Sequence, residues 1–171
     1  MPKPAYRAFE ALNKGGPLRA HVTKKSASAA NLTVLPLLTA ASDQLTILVA
    51  YHGTPGVVPP LQDLLVDLEI TPPSPSHAAL MTAFVGRVNA TSANPQAAWV
   101  SMGSPDYPTP AQVGELQRAS IVAEAAASVE LAMSVPVDSS SGTLSLTGLR
   151  VEAYSLVVVR IPGLLASAGR G

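Results

Sequence analysis

Proline and glycine cut this chain into apolar pieces that are short for helices and right for strands. Sixteen prolines and twelve glycines are spread over 171 residues. Proline cannot donate to a strand ladder or continue a helix, and glycine weakens both. The pieces between the breaks read as β. Residues 31–40 are apolar, with Pro36 marking a bulge or an edge strand. Residues 44–52 are rich in Leu, Ile and Val. In 63–71, Leu64, Val66, Leu68 and Ile70 alternate with Asp63, Leu65, Asp67 and Glu69, the pattern of a half-buried strand. Further strands are expected at 79–89, 128–135, 142–148 and 153–162. The last is continuous and β-branched, as in a strand buried on both faces. Without βαβ alternation, about seven such strands indicate an all-β fold, an antiparallel two-sheet β-sandwich.

Two segments depart from this pattern. Tyr6, Phe9 and Leu12 recur at helical spacing among Ala5, Ala8 and Ala11, and Gly15-Gly16-Pro17 ends the run. A helix of this length is unstable alone and must bury its apolar face on something. At 109–120, Thr109 fits an N-cap, Pro110 the first helical position and Gln112 the third residue of a capping box. Residues 90–108 read as a long irregular connection holding the only tryptophan, Trp99. The expected architecture is a sandwich with a short N-terminal helix and one helix in a long crossover loop. Its divisions are 1–19 (helix and linker), 20–162 (sandwich) and 163–171 (a frayed tail).

Charge narrows the partners. Eleven basic and eleven acidic residues cancel without a long run of either sign. Nucleic acid or an anionic membrane would require a concentrated cationic surface, so neither is expected. Lys24-Lys25, the best basic cluster, reads as a solvated loop. With no cysteine, thiolate catalysis, disulfides and Cys-based zinc sites are excluded. No apolar run reaches the roughly 18 residues of a membrane span. Charges and prolines interrupt residues 1–16 before any signal-peptide core could form, so the chain as written reads as cytoplasmic. The acceptor patterns at Asn31 and Asn89 carry little weight without an export signal.

Catalytic groups are sparse. His21, His52 and His77 lie far apart and form no metal-binding pattern; His52, beside Tyr51 at a strand end, is the one to locate. No nucleophile elbow or phosphate-binding loop occurs. Asp63, Asp67 and Glu69 share a strand face, and glycoside hydrolysis uses paired carboxylates, but a row of acids on a strand is the usual wet face of a sheet. No catalytic, cofactor-binding or metal residue is assigned, and no cofactor is expected.

The stretch "AAWVSMGSPDYPTPAQVGELQRAS" resembles a segment of glycoside hydrolase family 39, the β-xylosidase-like enzymes. Trp99, Met102, Gly103, Ser104, Pro105, Pro108, Thr109, Pro110 and Gln112 match that family's pattern in order. "PKPAYRAFEALNKGG" is similar to the last helix of its catalytic barrel. "LTILVAYH" and "GTLSLTGLRVEAYSLVVVRIP" resemble strands of its C-terminal β-domain. Two departures stand out. Asn89, Ser92 and Gln96 replace the Asp, His and aromatic residue that commonly precede the Trp, and only Asn94 is kept. The Asn-Glu-Pro motif carrying the family's acid/base glutamate does not occur in these 171 residues. A barrel takes about 250 residues, and residues 1–30 cannot supply one.

The resemblance implies an accessory β-sandwich of a β-xylosidase-like parent, with residues 1–19 as the end of its barrel. The expected partner is the catalytic (β/α)8 barrel, with self-association through the face it would cover. A free-standing carbohydrate-binding or protein-interaction module is the alternative. Trp99 is open to three readings: a packing anchor for the crossover, a core plug, or a sugar platform.

Overall fold

The computed structural model describes residues 4–19, 31–39, 44–52, 63–70, 83–126, 132–134 and 143–163. Three helices and nine strands occur among them: α1 (Pro4–Lys14), β1 (Leu18–Arg19), β2 (Leu32–Thr39), β3 (Gln44–Tyr51), β4 (Leu64–Ile70), β5 (Phe84–Val88), α2 (Pro95–Ser101), α3 (Pro110–Ala119), β6 (Glu124–Ala126), β7 (Ala132–Ser134), β8 (Thr143–Val151) and β9 (Ser155–Pro162). The strands form two antiparallel sheets, in the orders β1-β2-β3-β9-β5-β6 and β4-β8-β7. The fold is the expected all-β sandwich.

Side-chain alternation explains the core. Leu45, Ile47, Val49 and Tyr51 of β3 point between the sheets, with Val157, Val159 and Ile161 of β9 and Val85 of β5. From the other sheet come Leu146, Leu149 and Val151, with Leu64, Val66, Leu68 and Ile70 of β4 packed against them. The expected faces of β4 are therefore correct. Each of the fully buried side chains contributes about 1.5–3 kcal/mol. β9 is buried on its second face too, where Val158 joins Leu37 and Leu48, with Ala11 of α1 packed on top. That cover explains why β9 lacks the polar alternation of a one-sided strand.

Two boundaries differ from expectation. The long irregular connection at 90–108 contains α2, so the crossover holds two helices rather than one. Asn94 caps α2, its Oδ1 accepting from the Gln96 N–H at 3.1 Å, and Pro95 supplies the first turn. Proline suits that first position, where no N–H is needed. β8 continues through Gly148 to Val151 because a bulge opposite Asp67 absorbs the extra residue. The strand expected at 79–89 is described from Phe84 to Val88; its first residues lie outside the described set. Most of 128–135 and the tail from 164 also lie outside it.

Candidate functional site

The sequence candidates do not converge. His52 is exposed at the end of β3; its backbone N–H donates to Asn31 O at 3.1 Å and its ring lies 3.5 Å from Thr33 Oγ1. His21, His77, Lys24 and Lys25 fall outside the described residues. No group of three or more His, Asp or Glu able to hold a metal occurs among the described residues. No described helix is long and apolar enough to cross a membrane.

The acids of β4 are engaged in sheet structure. Asp63 receives two hydrogen bonds from the Arg150 guanidinium, and Asp67 Oδ1 accepts the Gly148 N–H at 2.7 Å, which closes the bulge. The Asp63 carboxylate holds the Arg150 pKa above its ordinary value.

Trp99 sits on α2, half-buried and outside both apolar clusters, so it is no core plug. Its indole N–H donates to Pro105 O at 3.1 Å. Its carbonyl accepts from the Ser104 N–H at 3.0 Å, while the Gly103 N–H donates to Val100 O at 3.0 Å. Those two bonds make a Schellman motif, which satisfies the last carbonyls of α2. Gly103 has φ +83, a conformation that a side chain would strain. Six residues after Gly103, Thr109 and Gln112 form the expected capping box: Gln112 Oε1 accepts the Thr109 N–H at 2.9 Å, and Thr109 Oγ1 the Gln112 N–H at 3.4 Å. Most of the matching residues from Trp99 to Gln112 thus build the α2–α3 hairpin.

Before α2, Asn89 is buried and fully engaged. Its Oδ1 accepts from the Ser92 N–H at 2.6 Å and the Thr91 N–H at 2.9 Å, and its Nδ2 donates to Glu152 Oε2 at 2.6 Å. An amide so held is closed to glycosylation. A short polar turn could have flagged the Asx bonds, but Glu152 lies 63 residues away and carries no local signal.

What remains is α1. Ala8, Ala11 and Gly15 turn toward the outer face of the six-stranded sheet. Tyr6, Phe9 and Leu12 stay 55%, 66% and 37% exposed. Surface helices ordinarily put their large apolar residues down and small or polar ones up, and α1 is inverted. Beside it, Phe9 and Leu12 share an apolar groove with Leu35, Leu48, Ala50 and Leu156, with a volume near 190 Å³. Glu10 bonds both Lys14 and Arg7, which lowers its pKa below the ordinary glutamate value. The candidate site is therefore an apolar face of a sandwich domain, without a catalytic constellation among the described residues.

The fold has known counterparts. A GH39 enzyme from Xanthomonas axonopodis pv. citri shares it with a TM-score of 0.59 and 15% identity, over 94% of this chain and 30% of that one. A monomeric β-xylosidase from Caulobacter crescentus CB15 gives 0.55 and 17%, over 94% and 30%. A GH39 β-xylosidase from Caulobacter crescentus gives 0.55 and 18%, over 93% and 27%. The chain thus spans under a third of the length of these enzymes. No protein-family model matches the sequence, and no curated protein does.

Proposed function

We propose that this chain is the accessory β-sandwich of a family 39 type, β-xylosidase-like glycosidase, and that it works by packing against the catalytic barrel of such an enzyme. The observation that carries this reading is the coverage: nearly all of this chain corresponds to less than a third of three glycosidases. The outward-turned Tyr6 and Phe9 of α1 agree with a helix that belongs to a larger domain. In this reading residues 1–19 are the last barrel helix and a linker, whose Leu18 and Arg19 already pair with β2 at the sheet edge, and 20–162 are the accessory domain. One of the similar enzymes is monomeric, which favours a covering surface from the same enzyme over a second copy of this chain.

The purified chain is expected not to hydrolyse aryl β-xylosides. Turnover that follows the chain through purification, and disappears in D63N or E152Q, would contradict the proposal.

A free-standing carbohydrate-binding module is favoured by one observation, the ring of Tyr107, which is 94% exposed. Exposed aromatic rings offer apolar area with a polar tip. Retardation of the chain by xylan in native gels, abolished by Y107A, would support that module.

A further inference from the structure

We infer that the turn between β8 and β9 displays Tyr154 as the stacking platform of a site for a neutral oligosaccharide, with His52 and Glu152 as hydrogen-bonding groups. The inference goes beyond the accessory-domain reading and stands whether or not a barrel packs on the chain.

Tyr154 is held in a conformation that its side chain opposes. Its φ is +55, in the left-handed region, where a bulky residue is an outlier. Glycine or asparagine would take that turn position with less strain. Burial does not offset the strain, because Tyr154 is 64% exposed. The turn is nonetheless fixed. Ser155 Oγ donates to Glu152 O at 2.6 Å, and Asn89 Nδ2 donates to Glu152 Oε2, also at 2.6 Å. Strain of this kind persists where the surroundings over-determine it, and it collects at ligand sites. Here it displays an aromatic ring.

Sheet register supplies the neighbours. Tyr51 of β3 pairs with Ser155, and Val88 of β5 pairs with Leu156, so β9 starts between the ends of β3 and β5. His52 and Tyr154 each lie one residue beyond the Tyr51–Ser155 pair. His52 is exposed too, and its ring approaches Thr33 Oγ1 at 3.5 Å. On the other side Asn89 ties the turn to the end of β5, where Ala90 and Thr91 are exposed. One end of the sheet thus gathers an aromatic ring, an imidazole, a carboxylate and a hydroxyl. A pyranose ring suits this mixture, with one apolar face to cover and hydroxyls that both donate and accept. None of these residues is Lys or Arg, so an anionic ligand finds no fixed counter-charge among them.

The test titrates the full chain with xylohexaose and follows its backbone amide NMR shifts. Shifts should concentrate at His52, Ala90, Thr91 and residues 152–155. Y154G removes both ring and strain, so it should weaken binding about tenfold or more and raise the urea midpoint. That pairing separates a binding role from a loss of fold. H52A should weaken binding severalfold, and L65A on the other sheet should leave it unchanged. Binding that survives Y154G, or shifts confined to α2, α3 and the Tyr107 loop between them, would overturn the inference. So would the absence of any shift at millimolar xylohexaose. Each of these failures would leave the accessory-domain reading standing.

Discussion

Asn89 stands where the family 39 pattern has an aspartate, and the structure gives a chemical reason for the amide. Its oxygen caps the Thr91 and Ser92 N–H groups, as an aspartate could, but its nitrogen also donates to Glu152, as an aspartate could not. N89D would set two carboxylates against each other in a partly buried turn. Losing the donor and adding like charge should cost about 2–3 kcal/mol, read as a lower midpoint in urea. E152Q in the N89D background should recover most of that loss, and failure to recover would show that the two residues act separately. Gly103 answers to a different constraint, its backbone. G103A would place a methyl at φ +83 and should cost about 1 kcal/mol by the same measurement.

At the scale of elements, one local signal was read and another missed, and distant ones were invisible. α3 was legible because its capping box lies within four residues of sequence. α2 was not, because Ser92, Ala93, Asn94 and Pro95 read as a loop although Asn94 and Pro95 are a cap and a first turn. β8 was cut short at Gly148 because the bulge that accommodates it depends on Asp67 of another strand. The helix α1 was visible in the spacing of Tyr6, Phe9 and Leu12. Those residues face away from the sandwich because Ala8, Ala11 and two glycines take the sheet side. The hydrogen bond from Arg7 to Ser120 joins residues 113 apart, beyond any sequence window. α1 also carries a pH dependence. Its Glu10 titrates below the unfolded value because it bonds Lys14 and Arg7, so its contribution is full above the ordinary glutamate range. That contribution is lost as pH falls through the lowered value. Amide exchange in α1 should therefore accelerate in acid relative to β3, and E10Q should remove the difference.

The whole molecule is a sandwich with an interior filled on both sides of its larger sheet and one helix turned inside out. Monomeric proteins seldom leave more than a few hundred Å² of contiguous apolar surface open, and here Tyr6, Phe9 and Leu12 of α1 are exposed beside an apolar groove. The central claim is that this face exists to be covered. Sedimentation velocity of the isolated chain over a wide concentration range tests it most directly, with Y6A/F9A run alongside. The wild-type chain should associate with rising concentration, and the double variant should stay monomeric with unchanged far-UV circular dichroism. A wild-type chain that stays monomeric at the highest concentration, and sediments like its double variant, would contradict it.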